Sequence, residues 1–128
     1  MYLSRTLRSF DEKVWDMVGV IPGAAVMSRT QMTLGYRELT LTQSGLLGEK
    51  GRRIRGHEFH YSQLEIAEDI EYVGRMTDAK GRDRGGDGIT VSNVVAFYTH
   101  VHFASHPEVA VSLIQAGRNR RERGEYVH

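Results

Sequence analysis

The chain has 128 residues, 40% of them hydrophobic, with 17 basic against 16 acidic side chains and a formal net charge of +1. This size fits one domain with a single core, and the near-neutral charge gives no reason to expect nucleic acid or an anionic membrane as a partner. The chain contains no cysteine, which excludes a disulfide framework, a thiolate metal site and a cysteine nucleophile within these residues.

The first two predicted elements are a helix and a strand. Residues 2–10 place apolar side chains at helical spacing, which predicts a short helix. Residues 14–21, VWDMVGVI, are typical of a buried strand, and the following Pro22 and Gly23 predict the turn that ends it.

An alternating pattern begins at Gly35. Arg37, Leu39 and Leu41 occupy one set of alternate positions, and more polar residues occupy the other set. Because alternate residues of a strand share a face, this segment is predicted to be a strand with one solvated face. Residues 45–51 then predict a loop.

Further strands are predicted in the second half of the chain, over residues 52–59 and 69–77. Residues 78–88, DAKGRDRGGDG, predict a mobile turn because they are rich in glycine and contain almost no apolar side chain. Residues 89–103 predict two strand segments, the second of them covered on both faces from Val94 to Tyr98.

The last predicted element is a helix. Ser105 and Glu108 have the spacing of a capping box, with Ser105 as the N-cap, and Gly117 is predicted to end the helix. One helical face is apolar, formed by Val109, Leu113 and Ala116 and broadened by Val111 and Ile114. The domain is therefore predicted over residues 1–117, followed by a basic, disordered tail over residues 118–128. The elements together predict an α/β domain, strand-rich with a mixed sheet and flanking helices.

Histidines are the candidate functional residues. In the segment GHEFHYS, Glu58 and His60 are predicted to point to one face of a strand and His57 to the other, so His57 and His60 cannot chelate one ion together. His100 and His102 share a face near the end of the apolar strand. With His60 nearby, three imidazoles could form a zinc site; the alternative is that each histidine is simply hydrogen-bonded.

Three stretches of the sequence resemble cobyrinic acid a,c-diamide synthase, specifically its C-terminal class I glutamine amidotransferase domain. They are MYLSRTL with MVGVIPG near the start, LGYRELTL with RGHEFHYS in the middle, and YTHVHFASHPEVA near the end. In that family a nucleophile segment, Glu-Cys-Gly-Gly-Leu, runs directly into Met-Tyr-Leu. The resemblance implies that the chain is the C-terminal part of a class I glutamine amidotransferase-like fold, a fragment that starts just after the nucleophile.

The resemblance also implies a chemistry. A cysteine thiolate attacks the carboxamide of glutamine, a histidine shuttles the proton to the ammonia that leaves as a thioester forms, and the thioester then hydrolyses to glutamate. The Tyr-x-His setting of the family matches Tyr98, Thr99 and His100, which implies that His100 is the base. The substrate-binding or site-wall residues implied by the family motifs are His57, Glu58, His60, Tyr61 and His102.

The expected function follows from the resemblance: a fragment of an enzyme that amidates corrin-ring carboxylates in cobalamin biosynthesis, inactive alone because the nucleophile is absent. ATP and magnesium belong to a separate domain of the family enzyme, so no cofactor is expected in this chain. Glutamine and a corrinoid are the implied substrates. A homodimer, or pairing with the missing domain, is expected through an exposed apolar sheet edge.

Other expectations come from the sequence as a whole. The chain has no apolar run long enough to span a bilayer and no signal-peptide pattern, so a cytoplasmic protein is expected. Two alternative functions remain open from the sequence, a noncatalytic module that binds a tetrapyrrole or a protein partner, and a zinc protein that uses His60, His100 and His102.

Overall fold

The computed structural model describes residues 1–66 and 70–124, which form mainly short strands. In chain order the strands are β1 (Ser4–Arg8), β2 (Val14–Asp16), β3 (Ile21–Met27), β4 (Thr33–Leu41), β5 (Arg53–His60), β6 (Ser62–Glu65), β7 (Gly74–Asp78), β8 (Asp83–Asp87), β9 (Ile89–Val91), β10 (Val94–Ala96) and β11 (His100–Val101), and the helix α1 runs over Pro107–Glu122. A single 3-10 turn over Phe103–Ser105 leads into the helix. The α/β class with a strand-rich mixed sheet is therefore confirmed.

The strands form three sheets. A five-stranded antiparallel sheet has the order β11-β5-β4-β7-β8, and a four-stranded sheet has the order β2-β1-β3-β6. The second sheet is mixed because β1 and β3 run parallel while its other pairs are antiparallel. Strands β9 and β10 form a separate two-stranded pair.

The β4–β5 pair forms the centre of the larger sheet. Its antiparallel register runs from Thr33 opposite His60 to Thr40 opposite Arg53. The alternation predicted for β4 is confirmed, since Arg37, Leu39 and Leu41 are all buried. This buried side of the sheet, called the core face below, packs against Val109 of the helix, which is also fully buried.

The N-terminal prediction was wrong. Residues 4–8 form strand β1, paired with β2 on one side and β3 on the other, and no α-helix occurs in the first half of the described residues. Leu7 lies opposite Trp15 on one neighbour and Ala25 on the other. Apolar spacing over so short a segment is a weak signal, and strand pairing at long range overrides it.

The strand predicted over residues 14–21 is also corrected. Only Val14–Asp16 are in strand β2, and all three residues are exposed. Pro22 and Gly23 lie within β3, where the pairing with β1 shifts register between Ile21 and Ala24. Proline is tolerated in a strand at such an irregularity because no ladder hydrogen bond from its nitrogen is required there.

The predicted turn over residues 78–88 is a hairpin in which Asp83–Asp87 form strand β8 paired with β7. Strand β7 begins only at Gly74, and residue 69 of the predicted segment lies outside the described residues. The glycines of β8 hid the strand pattern of residues 83–87 in the sequence.

The strand predicted to be covered on both faces from Val94 to Tyr98 is shorter than expected. It ends at Ala96, and Val94 is exposed.

The helix exists, but both of its predicted ends were wrong. His106 is the N-cap and makes no side-chain capping bond, while the Ser105 hydroxyl is bonded to the His102 ring instead. The helix continues through Gly117 to Glu122, so residues 118–122 of the predicted tail are helical. Val111 and Ile114 are exposed, so they do not broaden the packed face. No helix in the described part of the chain has the length and apolar character needed to cross a membrane.

Leu39 provides a test of this core. Its side chain is 0% exposed, whereas Leu34 on the same strand is 55% exposed. We expect Leu39→Ala to lower the free energy of unfolding by about 2–5 kcal/mol, because a buried cavity is left behind. Leu34→Ala should change it by less than about 0.5 kcal/mol. Urea unfolding measures both, and equal losses in the two variants would contradict the assignment of the core face.

Asp78 gives the β7–β8 turn a pH dependence. Burial tends to raise the pKa of its carboxyl, but backbone N–H groups of Arg82 and Lys80 and the side chains of Arg82 and Arg84 outweigh it, so the pKa lies well below the ordinary value. A lowered folded-state pKa stabilises the fold above the unfolded-state pKa of about 3.9, and this stabilisation is lost as the pH falls further.

We therefore expect Asp78→Asn to unfold at lower urea concentration than the wild type at neutral pH. The gap between the two midpoints should close as the pH is lowered below about 4, because the unfolded wild type takes up a proton that the variant cannot. Urea midpoints measured between neutral and acidic pH test this expectation. A gap of constant size would contradict it.

Candidate functional site

A cavity of about 210 Å³ lies between the two larger sheets. Strand β5 contributes Glu58 and His60 to its wall, and β6 contributes Ser62. Asp87 of β8 and Tyr98, in the segment between β10 and β11, also line the cavity. Polar groups from separate parts of the chain thus meet in one cavity, beside apolar side chains such as Ile21 and Met76.

The polar wall depends on a buried ion pair. Arg37 is 8% exposed and Glu58 is 5% exposed, and the distance between Arg37 Nε and Glu58 Oε2 is 2.5 Å. Arg37 also donates from Nη1 to the backbone carbonyl of Tyr36 at 2.9 Å. Each buried charge therefore has a partner, which is the condition for burying charged groups in a protein interior.

His60 is held through both of its ring nitrogens. Its Nδ1 lies 2.8 Å from the Ser62 carbonyl oxygen, and since a carbonyl oxygen only accepts hydrogen bonds, Nδ1 carries a proton. Its Nε2 lies 3.4 Å from Glu58 Oε1. The ring also stacks on Tyr98, with ring centroids 4.3 Å apart. An imidazole with both nitrogens engaged is suited to forming a wall, not to taking a proton from a substrate.

The Tyr98 hydroxyl completes the wall. It lies 3.1 Å from the Ser62 hydroxyl, and either oxygen can be the donor. Burial raises the pKa of Tyr98, the bond to Ser62 acts in the opposite direction, and the nearby charge of Asp87 adds to the increase. Tyr98 therefore remains protonated at neutral pH and can serve as a hydrogen-bond donor to a group in the cavity.

A second group of candidate residues lies on the opposite side of the sheet, called the outer face, which carries Leu34, Tyr36, His57, Phe59 and His100. His100 of β11 is paired directly with His57 of β5, and their ring centroids are 6.4 Å apart. The His57 ring also meets the Tyr36 ring edge-on at 5.8 Å. His100 is exposed, and none of the described side chains forms a hydrogen bond with its ring.

Gly56 allows the segment that carries His100 to approach strand β5 closely. A Cβ atom at this position would lie 2.5 Å from Thr99 Cγ2 and 2.6 Å from the His100 carbonyl oxygen, closer than real contacts allow. The missing side chain therefore lets the segment that carries His100 run directly against β5. The glycine of GHEFHYS positions His100, while the glutamate and second histidine of the same motif line the cavity.

The candidate site residues predicted from the sequence lie on different faces of the sheet. Glu58 and His60 share the core face and His57 lies on the other face, as predicted from strand alternation. Tyr61 is exposed and meets the Phe59 ring edge-on at 5.9 Å.

The three histidines of the zinc alternative do not converge. His102 is exposed and contacts Ser105, with 2.6 Å between Nδ1 and Oγ, while His60 and His100 lie on opposite faces of the sheet. Within residues 1–66 and 70–124, no group of three or more histidine, cysteine, aspartate or glutamate side chains could hold a metal ion. The zinc arrangement is therefore not formed.

Sequence reasoning missed several residues of the site, among them Arg37 and Asp87. Arg37 occupies a core-facing position in the alternating pattern of β4, and a cation at such a position signals a buried carboxylate partner. Asp87 was assigned to a turn. No local signal showed that its carboxylate would be buried or would contact residues around position 98.

The class of protein is shown by comparison with known sequences. The pattern of the CobB/CobQ-like glutamine amidotransferase domain matches residues 1–108, and the chain belongs to this family. Among individual proteins it is similar to cobyrinate a,c-diamide synthases, as the sequence resemblance implied.

Three synthases illustrate the similarity. The cobyrinate a,c-diamide synthase of Methanosarcina barkeri is 37% identical over 115 residues, covering 89% of this chain and 23% of the relative. That of Leptospira interrogans is 34% identical over 118 residues, with 91% and 26% covered. That of Dehalococcoides mccartyi is 33% identical over 128 residues, with 93% and 26% covered. The chain thus spans about a quarter of the length of the curated relatives it matches.

Glu58→Gln tests the importance of the buried ion pair. The substitution leaves the Arg37 charge buried without a counter-charge, so we expect the free energy of unfolding to fall by about 3–5 kcal/mol. Glu38→Gln is the matched control, because Glu38 lies on the neighbouring strand and its ion-pair partners among the described residues are the exposed Arg53 and Arg55. The control should lose at most about 1 kcal/mol.

The ion pair and not the glutamate alone should account for the loss. The double variant Arg37→Met with Glu58→Leu removes both buried charges, so its free energy of unfolding should be higher than that of Glu58→Gln. Chemical unfolding monitored by circular dichroism measures all three variants. A Glu58→Gln variant as stable as the Glu38→Gln control would show that Arg37 does not depend on this carboxylate.

Proposed function

We propose that the chain forms the part of a cobyrinate a,c-diamide synthase-type amidotransferase that binds glutamine and supplies the base for its hydrolysis. The observation that carries the proposal is the family match over residues 1–108, together with relatives named for this activity. The ammonia released would convert the a and c carboxylates of a corrin precursor to amides. Glutamine and a corrinoid are the proposed substrates of the whole enzyme.

His100 is the proposed base. It accepts the proton of a cysteine thiol as the thiolate attacks the glutamine carboxamide, and it returns a proton to the departing ammonia. The exposure of His100 and the absence of a hydrogen-bond partner among the described side chains support this role, because a thiol from outside the chain could reach its ring. His60 fits the role less well because both of its nitrogens are engaged.

The remaining site residues are proposed to bind and orient the substrate. His57 lies beside His100 on the outer face, whereas Glu58 and His60 form the cavity wall with Tyr98. Tyr61 and His102 are placed at the margin of the site in this proposal, since both are exposed. The 128 residues contain no cysteine, so the nucleophile must come from another segment or chain, and the chain alone should not hydrolyse glutamine.

ATP and magnesium are proposed to bind outside this chain. The glycine run at positions 85–88 is not followed by the lysine and hydroxyl residue that a phosphate-binding loop uses, and Asp83–Asp87 form a strand. The nearby side chains of Arg82 and Arg84 are paired with Asp78. These residues do not fit a nucleotide phosphate site, and no step of the proposed chemistry is assigned to them.

Pairing with a second copy or with the rest of a synthase is part of the same proposal. Large apolar side chains are exposed on the outer face, namely Leu34, Tyr36 and Phe59. Burial of such a surface favours association. A cytoplasmic location is also proposed, because the proposed amidation consumes ATP and the cytoplasm supplies ATP.

A chimaera tests the proposal. The segment of the Methanosarcina barkeri synthase that matches this chain is replaced by this chain, and amidation is measured with glutamine or with ammonia as the nitrogen source. We expect the chimaera to use both sources. His100→Ala should lower glutamine-dependent turnover by at least about 100-fold, the size of a general base contribution, while ammonia-dependent turnover is kept.

Controls separate loss of chemistry from loss of folding. Val111→Ala is the control, because this exposed side chain of α1 lies outside the proposed site and its truncation should leave both activities unchanged. The purified 128-residue chain alone should release no ammonia from glutamine. Ammonia release by the isolated chain, or full glutamine-dependent activity of the His100→Ala chimaera, would contradict the proposal.

A further inference from the structure

We infer that Asp87 is a positioning residue that holds the backbone of residues 98–99 and thereby fixes the place of His100. The inference rests on the proposed function in one respect, since it takes His100 to be the base. Asp87 is 7% exposed, and its carboxylate accepts backbone N–H groups from Gly88 at 2.8 Å, Tyr98 at 3.2 Å and Thr99 at 2.9 Å.

The environment of Asp87 shows what holds its charge in place. Among the described residues, no lysine, arginine or histidine side chain forms an ion pair with this carboxylate. A buried carboxylate is unfavourable unless hydrogen-bond donors surround it. Backbone N–H groups are the donors here, so the buried charge and the 98–99 backbone stabilise each other.

Within the part of the chain that the structure describes, the segment that Asp87 binds has no strand partner. Strand β10 ends at Ala96 and β11 begins at His100, so the N–H groups of Tyr98 and Thr99 fall between the two strands. Asp87 supplies the acceptors that a neighbouring strand would otherwise provide. The Thr99 side chain is buried and reaches Met76 Sδ at 3.3 Å, which fixes the other side of this short segment.

Gly88 allows the close approach on which this contact depends. Its φ of +85° lies in the left-handed region, and a Cβ atom would be 2.2 Å from Phe97 Cε1. The chain from Phe97 to Thr99 can therefore run directly over the Asp87–Gly88 peptide. His100 follows immediately, so its backbone starts from a point fixed by Asp87 on one side and by Gly56 on the other.

Asp87→Asn is the informative substitution. The asparagine has nearly the same shape, but its NH₂ group cannot accept an N–H donor, so at least one of the three bonds is lost along with the charge. Asp83→Asn is the matched control. Asp83 lies on the same strand, and its carboxylate accepts the backbone N–H of Gly85 at 3.0 Å and pairs with Arg75, but its side chain is exposed and does not contact residues 98–99.

The first measurement is amide hydrogen exchange by NMR on the full 128-residue chain. In Asp87→Asn the Tyr98 and Thr99 amides should exchange at least about tenfold faster than in the wild type, while the Leu39 amide is unchanged. The NOE cross-peaks between protons of the His57 and His100 rings should also weaken in Asp87→Asn. Asp83→Asn should change none of these signals. Equal acceleration at every amide, or none at Tyr98 and Thr99, would overturn the inference.

The wild type provides the test if Asp87→Asn does not fold. Tyr98 and Thr99 pair with no strand of the described residues, so we expect any protection of their amides to come from the Asp87 bonds. Slow exchange at both amides, comparable with that in β4, would support the inference. Exchange as fast as at exposed loop amides would overturn it.

The second measurement separates this inference from the proposed function. In the chimaera, Asp87→Asn should lower the glutamine-dependent kcat by about tenfold or more with little change in KM, and it should spare ammonia-dependent turnover. A large effect of His100→Ala with none of Asp87→Asn would overturn the positioning role. If His100→Ala has no effect, the proposed base is wrong, while the exchange data still decide whether Asp87 holds residues 98–99.

Discussion

The buried pair of Arg37 and Glu58 is the constraint on which the site depends. Strands β4 and β5 each place one charge on the core face of the sheet, where neither could remain without the other. The pair fixes the Glu58 carboxylate, and its second oxygen faces His60, whose ring in turn stacks on Tyr98. The polar wall of the cavity is therefore built outward from one cross-strand ion pair, and a change in the register of β4 against β5 would remove it.

A single strand serves both sides of the site because its side chains alternate. Along GHEFHYS, Glu58 and His60 line the cavity, while His57 stands beside His100 on the outer face. Gly56, with no side chain, lets the backbone of Thr99 and His100 come close to the strand. The composition of this short motif is thus explained by the cavity wall, the contact between His57 and His100 and the close approach at Gly56. A metal site is not needed to explain it.

The sequence predicted best those features that depend on local alternation. The β4 strand, its solvated face and the opposite orientation of His57 and His60 all follow from a period of two residues. The helix predicted at residues 2–10 failed because Leu7 finds strand neighbours in two other segments, which no local pattern reports. Asp87 was missed for a similar reason, since two of its three hydrogen bonds come from backbone N–H groups 11 and 12 residues further along the chain. The burial of Arg37 could have been read from its place in the alternation.

The two faces of the site differ in how freely their groups can react. On the core face His60 is fixed at both nitrogens, the Tyr98 hydroxyl is bonded to Ser62, and Glu58 is committed to Arg37. Groups that are fully hydrogen-bonded hold a shape well, but they have little capacity left to exchange protons with a substrate. On the outer face His100 is exposed, while its backbone is held by Gly56 and by the segment bound to Asp87. A fixed backbone and an imidazole that no described side chain hydrogen-bonds suit the proposed role of general base, because a base must be positioned and still able to accept a proton.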